Sequence, residues 1–157
     1  MNASRAGVGL TAGIGAIGAV ATFLSGVWLS LPGVALATTG VYRCSRRLLG
    51  IGVLVSFLGV VVASLFTAPF WLLVPAMASV VLTWDVGENA ITTAEQFPGE
   101  ASTWRGEAVH AAVSALVVTG FAVAVGGVYA LSTGGYSLVT VVLLVVGSLV
   151  VLIGLGR

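Results

Sequence analysis

Charge is confined in this chain to a degree that leaves few folds open. From Gly7 to Tyr42 run 36 residues without a charged side chain, and all five acidic residues lie between Trp84 and His110. That stretch also holds the only histidine and the only glutamine. A soluble fold needs polar faces for its exterior, and material for them exists only near residues 84–110. With 59% hydrophobic residues, 7% charged residues and a mean hydropathy of +1.17, the composition lies outside the soluble range. Lipid is the solvent that fits. The expectation is an all-α, polytopic membrane helix bundle forming a single domain over 1–157.

Other classes fall away quickly. A net charge of +1 does not supply the basic face that nucleic acid requires. Cys44 is the only cysteine, which excludes an internal disulfide and a cysteine-built metal site. It lies in Arg43-Cys44-Ser45-Arg46-Arg47, where neighbouring cations favour a thiolate; an inert cysteine at a membrane interface is the favoured reading. Arg5, the apolar run and Ala35-Leu36-Ala37 resemble a secretory signal. The run is too long for one, so an uncleaved span is expected.

Taken in order, the chain predicts six spans in three hairpins. Pro32-Gly33 divides the first uncharged run, because proline suits a first helical turn and breaks an interior one. That gives spans at about 7–28 and 31–43, the second unusually short, with Ser30 as its cap. If the division fails, residues 7–43 form one long helix and the count is five. Small residues recur in the first span as Gly9/Gly13, Ala12/Ala16 and Gly15/Ala19, a spacing that lets another helix approach closely in lipid. Arg43, Arg46 and Arg47 end the second span. A third is expected at about 48–66 and a fourth at about 69–84, with Pro75 in its early turns. The fourth helix has no stop at Trp84 and is expected to run on, polar, to about Phe97, where Pro98-Gly99 breaks it. Returning from near Glu100, the fifth re-enters lipid at about 108 and continues to about 131; a sixth covers about 137–156. In this layout all six arginines and all five acids share one side. Excess arginine marks the cytoplasm, so the cell membrane with both termini and the 84–107 hairpin cytoplasmic is the expected placement.

The hairpin carries the candidate site. Asp85, Glu88, Thr92 and Glu95 recur at 3-4-3 spacing, and Thr103, Glu107, His110 and Ser114 at 4-3-4. Each set shares a helix face. Folding back about Pro98 brings Asp85 near His110, and Glu88 near Arg105 or Glu107. A carboxylate–histidine bond at the membrane boundary reads as a proton relay or as a structural cross-link, and the cross-link is favoured. Metal binding by Asp85, Glu88 and His110 is chemically allowed, but Glu107-Ala108-Val109-His110 is a single E-x-x-H and a di-iron bundle needs two. No serine lies in a G-x-S-x-G elbow, and no glycine-rich phosphate loop is present. Neither a catalytic residue nor a cofactor is therefore assigned. Arg43, Arg46 and Arg47 are candidate contacts for anionic lipid headgroups, though a plain topology signal is the favoured reading.

Trp84-Asp85-Val86-Gly87-Glu88-Asn89-Ala90, then Glu95-Gln96 and Arg105-Gly106-Glu107-Ala108-Val109-His110, resemble a family of uncharacterised multi-pass membrane proteins of haloarchaea. Pro98 departs from the family pattern. Members are often encoded near a MoxR-type AAA ATPase and a von Willebrand-like domain protein, so the resemblance implies a membrane partner of such a system. It transfers no catalytic residue. The expected function is a non-enzymatic membrane scaffold or adaptor that engages other membrane or cytoplasmic proteins through residues 84–110, with a homo-oligomer left open. The alternative is a small transporter or channel subunit using Asp85, Glu88 and His110. Span interiors without charge favour the scaffold, because transporters generally carry an ionisable group there.

Overall fold

A computed structural model describes residues 3–66, 68–97 and 104–131. The chain divides into two units, Met1–Ala122 and Val123–Arg157. All regular structure among the described residues is helical: α1 (Arg5–Leu24), α2 (Ser30–Tyr42), α3 (Arg46–Leu65), α4 (Phe70–Gln96) and α5 (Trp104–Leu131). Four of these, α1, α3, α4 and α5, are long and apolar enough to cross a membrane. The turn at 132–136 and the sixth span at 137–156 lie outside the described residues, as does the hairpin tip at 98–103.

Residues 7–43 form two helices, with α2 starting where Pro32 suggested, but α1 ends earlier than expected. Gly26 takes φ +80, Gly26 N–H donates to the Phe23 carbonyl and Val27 N–H to that of Thr22. This glycine-terminated cap satisfies the last carbonyls of α1, so α1 ends at Leu24 instead of near residue 28. Pro32 lies in the first turn of α2, where its missing N–H costs nothing. Ser30 does not cap α2; the N-cap is Leu29, without a side-chain hydrogen bond, and the Ser30 hydroxyl donates to the Ser56 carbonyl at 3.4 Å. With 13 residues, α2 is about 20 Å long, short of the roughly 30 Å of hydrocarbon. It therefore does not meet the length of a full span, although it returns the chain toward its starting end.

The α2–α3 connection repeats the same device with a different residue. Cys44 adopts φ 50, Cys44 N–H donates to the Val41 carbonyl and Ser45 N–H to that of Gly40. Ser45 then accepts from Leu48 N–H and caps α3. Cys44 is thus a turn residue in a left-handed conformation, which non-glycine residues adopt at some strain.

In the first unit α1–α4 form a ring in chain order: α2 packs on α3, α1 on α4, and the α1–α2 and α3–α4 contacts close it. Its centre is built from small residues, because lipid tails give apolar helices no reason to associate unless their backbones approach closely. A Cβ on Gly52 would stand 2.6 Å from the Gly33 carbonyl oxygen and 2.7 Å from the Ala37 Cα. One on Gly15 would meet Val34, and one on Gly87 would meet Leu49 and Val41. By contrast Gly9 and Gly13, singled out above, face open space. The packing face of α1 is Gly7, Thr11, Gly15, Gly18, Ala19 and Thr22; of the expected pairs only Gly15/Ala19 lies on it. Many large side chains point the other way: Leu65, Phe66 and Trp71 are 75%, 70% and 68% exposed. Glycine seams inside, filled beside them by Leu49, Val41 and Ile91, and many large apolar side chains outside suit a bundle whose exterior meets lipid. Most buried hydroxyls bond within their own helix, as Thr11 does to the Gly7 carbonyl and Thr83 to that of Ser79.

Candidate functional site

The charged side chains among the described residues gather at one end of the first unit, where α1 and α3 begin and α4 ends. Beyond Trp84, α4 continues as a polar helix to Gln96, so its acidic stripe stands alongside the first turn of α3. There Arg46 reaches across: Nε lies 2.7 Å from Glu88 Oε1 and Nη2 lies 2.8 Å from Glu95 Oε2. The same nitrogen donates to Thr92 Oγ1 at 3.3 Å. One guanidinium thus serves three of the four stripe positions, because residues spaced four and three apart stack along one face within its reach. The Arg46 side chain is 51% exposed, so solvent screening limits each pair to less than about 1 kcal/mol.

Asp85, the fourth stripe residue, turns to α5. Its Oδ2 lies 2.9 Å from His110 Nε2 and accepts from Ser114 Oγ at 2.5 Å. The expected proximity of Asp85 and His110 is therefore present in the structure. Glu88 does not meet Arg105 or Glu107, because Arg46 holds it. Glu107 is buried at 3% exposure and accepts from Ser4 Oγ at 2.5 Å. Ser4 is also the N-cap of α1, accepting from Gly7 N–H. This contact ties the starts of α1 and α5 together. Arg105 extends over the Trp104 ring, 5.5 Å from its centroid, a cation–π geometry.

Ser4 and Arg46 are the partners that spacing missed. Arg46 carried a usable signal, since it is the middle arginine of a cluster facing an uncompensated acidic stripe. Ser4 carried none beyond its capping position. Of the arginines proposed for lipid headgroups, Arg46 is engaged with α4, while Arg43 and Arg47 are exposed.

The chemistry open to this arrangement is limited. Serine, histidine and aspartate stand together, but Ser114 and His110 both address Asp85, and no hydrogen bond joins the serine to the histidine. A nucleophile needs its base within reach. The E-x-x-H pair is likewise divided, Glu107 toward Ser4 and His110 toward Asp85. Among the described residues no three His, Cys, Asp or Glu side chains group as metal ligands. What the geometry does achieve is to bind four helices at one end: α1 to α5, α3 to α4, and α4 to α5.

No curated protein and no solved structure matches the chain. A family model does match, over residues 2–152. That span is nearly the whole sequence, and an uncharacterised family is what the motifs around Asp85 and His110 implied: the chain belongs to DUF7519, a family of unknown function.

Proposed function

We propose that this protein is a non-enzymatic scaffold or adaptor of the cell membrane. Its polar end faces the cytoplasm and docks another protein through residues 84–110. One observation carries the reading. Asp85, Glu88, Glu95, Glu107 and His110 are all engaged in contacts between helices at one end, and the buried residues of the described span interiors are apolar or hydroxyl-bearing, without charge. Such an arrangement holds a shape. A conducting pathway generally uses an ionisable group at depth. Arg43 and Arg47, exposed beside the acidic helix, suit anionic headgroups around that docking surface. The resemblance at Trp84–Ala90 makes a MoxR-type ATPase the partner to look for, and haloarchaea the source it implies.

Capture of the intact protein from gently solubilised, cross-linked membranes is expected to retain such an ATPase in stoichiometric amount. Substrate flux in proteoliposomes that disappears with Asp85→Asn, without any retained protein, overturns the scaffold in favour of a small transporter.

Orientation has its own check. The Ser4–Glu107 contact puts the N-terminus at the same end as the polar hairpin. In a Cys44→Ser background, single cysteines at positions 2 and 100 are expected to resist an impermeant thiol reagent applied to intact cells and to react after lysis. Labelling of either one from outside contradicts the cytoplasmic assignment.

A further inference from the structure

Midway along α1 and α3 the four-helix ring leaves a small cavity, bordered by Gly15 and Gly18 of α1, Ser30 of α2, Ser56 of α3, and Ser79 and Thr83 of α4. It has about 10 Å³ for the centre of a water molecule, which is room for one. Hydroxyl groups from three helices converge on a site where a bundle of glycine and alanine would ordinarily close.

Their hydrogen bonds do not balance. Ser79 donates to the Ala76 carbonyl at 2.7 Å, Thr83 to the Ser79 carbonyl at 2.6 Å, and Ser30 to the Ser56 carbonyl at 3.4 Å. Each of these oxygens has committed its proton and keeps lone pairs. Ser56 is the reverse case. It is only 4% exposed, and its Oγ is fully buried without a hydrogen-bond partner. A buried hydroxyl left this way is destabilising, and more so in lipid, where no bulk water is near. Serine within a helix usually returns its proton to a carbonyl one turn back, as Thr11, Thr22, Ser79 and Thr83 do here.

We propose that this cavity binds a single structural water molecule, which accepts from Ser56 Oγ and donates to hydroxyl oxygens of Ser30, Ser79 or Thr83. Water is the ligand whose chemistry fits, because it supplies both an acceptor for the one free proton and donors for the free lone pairs. It links α2, α3 and α4, adding to the Ser30–Ser56 bond that already joins α2 to α3. The small residues around it then serve a second purpose, since a Cβ on Gly18 or Gly59 would collide with the hydroxyl of Ser79 or Ser30. This inference stands apart from the docking reading above.

Ser56→Ala distinguishes a wet cavity from a dry one by the sign of its effect. In a wet cavity the substitution removes a partner of the water, and the apparent Tm in detergent is expected to fall by about 2–4 °C. In a dry cavity it removes an unsatisfied hydroxyl, and the Tm stays or rises; that result overturns the proposal. A second measurement guards against a fall caused by loosened packing. An experimental density map is expected to show one peak within hydrogen-bonding distance, roughly 2.6–3.2 Å, of Ser56 Oγ, absent in the alanine variant. A well-resolved wild-type map without that peak overturns the water site whatever the Tm does.

Discussion

Gly52→Ala is expected to destabilise the bundle by about 3 kcal/mol, the upper part of the range for overpacking a filled interior. The added methyl would enter the backbone of α2, near the Gly33 carbonyl and the Ala37 Cα. Backbone cannot rotate away as a side chain can, so α2 and α3 would have to separate along their seam. Gly40 faces the same difficulty from the other helix, since its Cβ would lie 2.9 Å from the Leu49 Cα. Gly9→Ala and Gly13→Ala are the controls. Nothing lies within 4 Å of either position, and alanine favours helix over glycine by up to about 1 kcal/mol. Thermal unfolding of Gly52→Ala, Gly40→Ala and the two controls in detergent would rank them, with Gly52→Ala lowest and the controls at or above wild type. Equal tolerance at Gly52 and Gly13 would mean that α2 does not rest on α3 in this way.

Asp85→Ala is expected to have the next largest effect, about 2 kcal/mol, because one carboxylate oxygen serves both His110 and Ser114. His110→Ala should cost about half as much, since Ser114 keeps its acceptor and the pair is 38% and 42% exposed. The double variant should be little worse than Asp85→Ala alone, as contacting residues are non-additive. Fully additive losses would mean that α4 and α5 are not joined through Asp85. The consequence reaches beyond one bond. Only 6% of the apolar window of α5 is buried, so its attachment within the first unit relies on Asp85, Ser4 and the few residues beside them instead of an apolar interface.

Several features were readable from residue order because they are local or periodic. The 27-residue length of α4, past Trp84 to Gln96, follows from the lack of any helix stop before Pro98. The meeting of Asp85 and His110 follows from their similar distance on either side of that break. Glu88 shows where such reasoning fails. Two helices leaving lipid side by side suggested Arg105 or Glu107 as its partner, but α3 supplies Arg46 from the other side. Hairpin spacing relates only neighbours in the chain, and the Arg46–Glu88 contact joins α3 to α4 through the rotation of each helix.

The sequence by itself determined the solvent, the helical class and the existence of one polar end, since uncharged runs of this length cannot satisfy their backbone in lipid except as helices. It also determined that the polar stripe on α4 would need partners. Which face of each apolar helix turns inward was decided only by the tertiary structure. In water, polarity marks the outer face of a helix; in lipid an apolar helix is alike on all sides, and the inner face is the one that lets backbones approach. With 22 glycines in the chain, spacing could not separate Gly15 and Gly52, which lie in seams, from Gly9 and Gly13, which do not. The same indifference hid Ser56, whose buried hydroxyl has meaning only once Ser30, Ser79 and Thr83 stand around it.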